Sequence, residues 1–441
     1  MSGTLSLSEF PPVSTEQWAQ AIQKDLNGAD YDKRLKWRTE EGILVKPYYR
    51  AEDIAPRQPE VRGNGQAWEA VEPGHEPAVS VDASAWHEAG ATAVQEAAFA
   101  IAAGADRLAA GKPVESFAFA IGSSYYMEIA KLRAVRLLWK QVAAAFGATP
   151  EIRIHARTAS ADKTIYDPYV NVLRVTTEAQ AAVIGGCDSL TTIPFRFDAH
   201  LAANIHHILR EESHLDKVAD PAAGSYAIEA LTAAVANAAW TLFQAIEAAG
   251  GFGKYEASGA LDTAIAQSRA AKEKAVGSRR RVLVGTNNYP NVQERALDSG
   301  DAVPEGWRLA SVFEKIRLRT ERHAKATGKM PRVLLLERGD LKMRKARSAF
   351  CLNFFGCAGF EIAQAEELQA ADLVVLCSSD PEYLTLAREV CPQTQAPVVV
   401  AGNPKEEIDA LTQAGVAGFV HAMSNAVETL PFWQDKLGVS R

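Results

Sequence analysis

Apolar positions along this chain recur with two periods, and where the period switches, the elements of the fold can be marked. Near the start, Trp18, Ala21, Ile22 and Leu26 fall on one face of a helix; Ser14 and Gln17 stand three apart as a capping box, and Gly28 supplies the stop. The stretch from Arg57 to Pro77 is rich in proline, glycine and glutamate and reads as a linker or long surface loop. From Val79 short apolar runs alternate with helical stretches. Strands are expected at Val79–Asp82, Phe117–Ile121, Ile152–Ile154 and Ser189–Phe195. A second capping box, Thr92 and Gln95, opens a helix ending near Gly111; another helix carries Ile129, Leu132, Leu137, Leu138 and Trp139.

This alternation predicts about four βα units with a parallel sheet, in either a TIM-type barrel or an open doubly wound arrangement. A closed (β/α)8 barrel needs eight strands and typically about 250 residues, so this region cannot close one alone. Helices follow over Ile228–Ala249 and Leu261–Ala275, with a strand at Val282–Val284 and a charged helix from Leu309 to Thr327. Beyond Pro331, runs at Val333–Leu336, Phe360–Ile362, Leu373–Cys377, Val398–Ala401 and Gly418–Val420 predict a five-stranded flavodoxin-like sheet. The expected organisation is an arm and linker over 1–76, a partial α/β barrel over 77–300, a helical linker over 301–330 and a second α/β domain over 331–441.

Composition adds exclusions. Hydrophobic residues make up 47% of the 441 and charged residues 23%, the balance of a globular protein with a sizeable core. A net charge of −7 gives no footprint for nucleic acid or anionic membrane. The apolar runs at Ala97–Ala103 and Val398–Ala401 are too short to span a bilayer, and Met1–Pro12 lacks the pattern of a signal peptide. Five scattered cysteines (Cys187, Cys351, Cys357, Cys377 and Cys391) form no C-x-x-C pair and suggest reduced thiols in a cytoplasmic protein.

Several long stretches, in order, resemble the methylmalonyl-CoA mutase family. Glu128-Ile-Ala-Lys-Leu-Arg-Ala-Val-Arg136 with Trp139 is similar to its E-I-A-K-x-R-A-x-R-x-x-W helix, and Asp167-Pro-Tyr-Val-Asn171 with Arg174 to D-P-Y-x-N-x-x-R. Gly185-Gly-Cys-Asp-Ser-Leu190, Asp220-Pro-Ala-Ala-Gly-Ser-Tyr226 with Glu229, and Gly285-Thr-Asn-Asn-Tyr289 match three further motifs. The resemblance runs from Phe10 to the C-terminus with one large gap before Val79. Aligned on these motifs, the four expected strands look like barrel strands five to eight, with strands one to four absent.

The resemblance implies a radical rearrangement begun by adenosylcobalamin, for which the protein supplies ligation, orientation and exclusion of water. The family's cobalt-ligating D-x-H-x-x-G falls on Asp340, with Arg344 at about the histidine and Arg347 at about the glycine. A guanidinium has no free lone pair and cannot ligate cobalt. The later glycine-rich segment shrinks to Ala401-Gly-Asn-Pro404. On the substrate side Thr191 takes the place of the histidine that polarises the thioester, while Asp188 and Arg157 replace glutamines and Ile193 an asparagine. A threonine hydroxyl cannot replace an imidazole as acid or electrophile. The small, non-catalytic subunits of heterodimeric mutases share this pattern. The resemblance therefore implies an accessory chain with no catalytic or cofactor-binding residues of its own, and adenosylcobalamin in a catalytic partner subunit. Two alternatives stand beside it: an active acyl-CoA isomerase completed by another chain, and a CoA-binding regulatory scaffold.

Other clusters read as structural. His200, His206, His207 and His214 lack the companion acid of a metal site. Lys131, Arg133 and Arg136 suggest an ion-pair helix, with Glu128 and Asp220 as partners, ahead of a phosphate contact. Arg317, Arg319, Arg322, Lys325 and Lys329 read as a solvated face rather than a phosphate or CoA contact. A half-barrel would expose two strand edges and an apolar interior, so an obligate oligomer is expected, with the Ser14–Lys46 arm wrapping the partner.

Overall fold

The computed structural model describes residues 10–54, 67–298, 304 and 306–440. The arm forms α1 (Thr15–Asp25) and α2 (Tyr31–Leu35), then the two-residue antiparallel strands β1 (Trp37–Arg38) and β2 (Leu44–Val45). The capping box is as expected: Gln17 N–H donates to Ser14 Oγ at 3.2 Å and Ser14 N–H to Gln17 Oε1 at 2.9 Å. Helix α1 buries none of its residues, and Phe10, Val13 and Trp18 remain exposed.

The first sheet has five strands, all parallel: β3 (Glu69–Val71), β4 (Val81–Asp82), β5 (Ser116–Ile121), β6 (Arg153–Thr158) and β7 (Ser189–Thr191). Their order is β3-β7-β6-β5-β4, so the first strand lies beside the last. Strand β3 falls within the segment read as a linker; residues 57–66 of that segment lie outside the described residues. A three-residue strand that begins at Glu69 and runs into Glu72 gives little periodicity to read, and Trp68 supplies the anchor, only 1% exposed. The expected strand at Val282–Val284 is instead a tight loop. There Asn287 accepts from Leu283 N–H at 2.7 Å and donates to the carbonyls of Val276 and Arg281.

Phe117, Phe119, Ile154, Ala156 and Leu190 point to the helices α4 (Ala93–Ala109), α5 (Tyr125–Phe146), α6 (Pro168–Gly185) and α8 (Tyr226–Ala248) and share one core with them; α3 (Ser84–Ala89) precedes α4. The opposite face carries Ala118, Ala120, His155, Arg157, Ser189 and Thr191, alternate residues of the same strands. It is small and polar, which corrects the expectation of an apolar interior. Helices α7 (Ala199–His207), α9 (Phe252–Ala257) and α10 (Ala260–Gly277) complete this layer.

Helix α11 (Ser311–Thr327) is packed on two sides rather than solvated. Arg317 is buried over the Tyr166 ring at 4.0 Å and donates to the carbonyls of Asn291 and Glu294. Arg319 donates to the carbonyls of Val439 and Ser440. For these two residues the reading as a solvated face is overturned, and both are committed within the chain.

The second sheet is also parallel and five-stranded: β8 (Arg332–Glu337), β9 (Glu361–Ala365), β10 (Leu373–Cys377), β11 (Val398–Val400) and β12 (Val416–Phe419), in the order β12-β11-β10-β8-β9. Alternate strand residues feed two separate cores. One is shared with α12 (Leu341–Gly356) and α15 (Ala426–Lys436), the other with α13 (Tyr383–Val390) and α14 (Ile408–Gln413). Burial on both faces explains the unbroken apolar runs in these strands. Among the described residues no helix is long and apolar enough to cross a membrane.

Candidate functional site

Two places could carry chemistry, both at parallel sheets: the polar face of the first sheet and the carboxyl-end crevice of the second. On the first, Arg157 and Thr191 are register partners on β6 and β7, with His155 and Ser189 two residues before them. His155 Nδ1 meets Ser189 Oγ at 2.9 Å, whereas His155 Nε2, Arg157 Nε and Thr191 Oγ1 are buried without partners. Burial chiefly, opposed by nearby carboxylates but aided by Arg157, lowers the His155 pKa, so the ring is neutral at pH 7. Thr191 is fully buried and presents a neutral hydroxyl, which can donate a hydrogen bond but is no acid–base group at neutral pH.

Asp188 is separate from this pair. Its Oδ2 accepts from Ile154 N–H and from Arg136 Nη2, both at 2.7 Å, while Arg136 also donates to the carbonyls of Ile152 and Gly186. It ties α5 to the starts of β6 and β7. The ion-pair reading of α5 holds: Lys131 meets Glu128 at 2.6 Å, and Arg133 meets Asp220 and Glu229. The Arg136–Asp188 pair had no sequence signal, because the partners are distant in the chain and no periodicity links them.

His87, Glu96 and Glu128 converge as three potential metal ligands. The position an ion would occupy is taken by the Lys131 ammonium, 2.6 Å from Glu96 Oε2, from Glu128 Oε2 and from the Ala120 carbonyl. A cation is therefore already built in. Burial alone would raise the Glu96 pKa, but Lys131 and His87 bring it below the ordinary value.

In the second sheet, the crevice between β8 and β10 is where such folds bind ligands. Asp340 is the N-cap of α12, its Oδ1 accepting from Met343 N–H at 2.8 Å. Arg344 pairs with Glu366 at 2.9 Å and Arg347 with Asp380 at 3.0 Å. Glu382 fills the space beside Gly339: its Oε2 accepts from the hydroxyls of Ser378 and Ser379 at 2.6 and 2.5 Å and from the N–H groups of Asp340 and Ser379 at 3.2 Å. The Ser378 and Ser379 hydroxyls, then these backbone donors, hold its pKa at about 2. A Cβ on Gly339 would lie 2.2 Å from that carboxylate. Sequence reading missed Glu382, although Ser379 and Glu382 at a spacing of three form a legible capping box. The fit to cobalamin is poor: α12 offers no imidazole, both arginines are ion-paired, and a carboxylate fills the crevice.

Against this geometry the methylmalonyl-CoA mutase family profile matches residues 43–334. The chain belongs to the methylmalonyl-CoA mutase family. It is similar to the methylmalonyl-CoA mutase small subunit of Porphyromonas gingivalis, with 32% identity over 613 residues covering 98% of each chain. It is also similar to that of Streptomyces virginiae, with 34% identity over 82% of this chain and 65% of the relative. The methylmalonyl-CoA mutase of Cereibacter sphaeroides is 37% identical over 55% of this chain and 38% of its own length. The chain is of the small-subunit type, and that type of name points to a partner subunit.

Among the described residues the cluster of His200, His206, His207 and His214 forms no convergent set of three ligand atoms. His206 is buried; its Nδ1 accepts from Trp68 Nε1–H at 3.1 Å, and its Nε2 lies 3.1 Å from Thr192 Oγ1, which donates to the Ala202 carbonyl. The neutral Nε2–H tautomer satisfies all three bonds. Burial first, then Arg210 and His207, lower its pKa to about 4. Protonation is therefore easier in the unfolded chain, near 6.5, than in the folded one. Stability is full above about pH 6.5 and falls as the pH drops towards about 4, by up to about 3 kcal/mol. Urea unfolding at pH 7 and pH 4.5 measures this, and His206→Gln should flatten that part of the profile; an unchanged profile counts against the assignment.

Proposed function

We propose that this chain is the non-catalytic subunit of an adenosylcobalamin-dependent methylmalonyl-CoA mutase, and that a larger partner chain holds the cofactor and interconverts methylmalonyl-CoA and succinyl-CoA. The observation that carries this reading is Arg344 at the cobalt-ligand position, ion-paired to Glu366 at 2.9 Å. Thr191 in place of a thioester-polarising imidazole supports it from the substrate side.

On this reading the first sheet is a partial (β/α)8 barrel of five strands rather than four. Adjacency of first and last strand is what barrel closure requires, and three more strands between β3 and β4 would bring the total to eight. An alignment of 613 residues for a 441-residue chain agrees with an internal loss of that kind. The second sheet, with strand order 2-1-3-4-5, is a flavodoxin-like domain of cobalamin-binding type that no longer binds the cofactor. The unburied face of α1 and the exposed Phe10 and Val13 suit an arm that wraps the partner in an obligate cytoplasmic complex.

Adenosylcobalamin titrated into the purified chain should leave the cobalamin visible spectrum unchanged. The complex with a mutase chain carrying an intact D-x-H-x-x-G should give a saturable change and isomerase turnover. Saturable binding or turnover by this chain alone would overturn the proposal.

A further inference from the structure

Beside the polar face lies a hollow of about 630 Å³, between the carboxyl ends of β3 and β7 and the flank of α7. That volume is in the range of small-molecule sites, about 300–1,000 Å³. Its apolar wall comes from Ala70, Val71, Pro194, Ala199 and Ala203. Its basic side chains are His200, His206, His207 and Arg210, of which His206 is neutral and committed to Trp68 and Thr192, and the one acid lining it is Glu72.

Arg210 is the informative residue. Arg133, Arg136, Arg308, Arg344 and Arg347 each pair with a carboxylate. Among the described residues Arg210 has none: its Nη2 donates to the Trp68 carbonyl at 2.7 Å, its guanidinium lies 5.0 Å from the Trp68 ring centre, and its Nε is buried without a partner. Asp216 lies close enough for Arg210 to help lower its pKa, but its ion pair is with Lys217 at 2.8 Å and it makes none with Arg210, so the partly buried guanidinium keeps donor capacity for an anion in the hollow.

The backbone that delivers it is unusual. Residues Ile208–Glu212 form a single π-helical turn, closed by Ser213 N–H donating to the Ile208 carbonyl at 2.9 Å. Such turns are rare and concentrate at functional sites. The segment is also bracketed by two non-glycine residues in the left-handed region, Arg196 (φ 58°) and His214 (φ 54°). Strain of this kind persists where the surroundings enforce it. His206, which also lines the hollow, holds Trp68 and the lining Thr192 in place, so the wall is preorganised.

We propose that this hollow binds a small organic acid: a carboxylate on Arg210, flanked by His200 and His207, with a compact apolar body against Ala199, Ala203 and Pro194. The inference goes beyond the supporting role above and does not depend on it. The site uses neither Arg157 nor Thr191, and no residue of the second sheet.

The test uses the full chain with sodium benzoate and sodium hexanoate as probes, benzamide and inorganic phosphate as controls, and saturation-transfer NMR with calorimetry as the readout. At least one carboxylate should bind saturably, with benzamide and phosphate at least tenfold weaker. Arg210→Gln should weaken binding at least tenfold. Ala203→Leu, which fills the hollow without touching the guanidinium, should abolish it while leaving circular dichroism and melting temperature in place; this variant decides the matter if Arg210→Gln fails to fold. No saturable carboxylate binding, binding unaffected by Ala203→Leu, or phosphate binding as tightly as benzoate would each overturn the proposal.

Discussion

Replacing Lys163 with methionine lowers the folding free energy by about 3–5 kcal/mol, because it leaves a buried carboxylate without its counter-charge. Lys163 is 1% exposed and its ammonium donates to the Ala159 carbonyl at 2.7 Å, to Asp162 at 2.8 Å and to both oxygens of Glu178 at 2.6 and 2.7 Å. Burial alone would lower the lysine pKa, but Asp162 and Glu178 together raise it above the ordinary value. Burial, reinforced by Asp162, pushes the Glu178 pKa well up, while the Lys163 charge pulls it the other way. Asp162 goes the other way: burial opposes ionisation, and the Lys163 charge overcomes it. Lys163 is thus the counter-charge for both carboxyl groups, and the substitution strands Asp162, whose pKa lies below the ordinary value because of that charge.

The loss also reaches beyond the pair. Arg308 Nη1 donates to the Lys163 carbonyl at 3.2 Å, Leu309 N–H to the Ala161 carbonyl at 2.7 Å and Ile165 N–H to Glu314 Oε1 at 2.8 Å. The loop after β6 is therefore the seam along which α11 joins the first sheet. Adding Asp162→Asn to Lys163→Met should recover part of the stability by removing the stranded charge. Urea midpoints of the two variants are the measurement; a loss under about 1 kcal/mol for the single variant would mean that the group is not desolvated as described.

Trp139→Ala should cost a similar amount, about 3–5 kcal/mol, for a different reason. The indole is fully buried, meets Phe117 edge-on at 5.0 Å and 73°, and covers Gly104 of α4 so closely that a Cβ there would lie 2.6 Å from the ring. Truncation opens a cavity where α4, α5 and β5 meet. Gly104→Ala alone should cost about 1–3 kcal/mol by overpacking, and Trp139→Phe in the same chain should restore much of it. Additive effects in that double-mutant cycle would refute direct packing of the two residues.

Much of the architecture was readable from the chain. Continuous apolar runs such as Phe117–Ile121 and Leu373–Cys377 are buried on both faces in the fold, which is why they carried strong signals. Capping boxes at Ser14 and Thr92 marked helix starts correctly because their hydrogen bonds are local. Strand β3 was hidden, since three residues held mainly by Trp68 and by pairing with β7 have no period to detect. Val282 and Val284 misled in the opposite direction: two half-exposed valines resemble a strand, but Asn287 satisfies the backbone around them in a loop.

The candidate site divides along the same line. Residue identity alone established that α12 carries Arg344 and Arg347 and no imidazole, because what a side chain can donate or ligate is a property of its type. Only the tertiary structure decided which polar groups are already committed: Asp188 to Arg136, Arg344 to Glu366, the β8–β10 crevice to Glu382, and a metal-like cluster to Lys131. It also decided that Arg210 lines a hollow with its Nε buried and unpartnered. These pairings join residues far apart in sequence and depend on burial, which sets both the cost of an unpaired group and the strength of the bond that relieves it. No local pattern encodes that quantity.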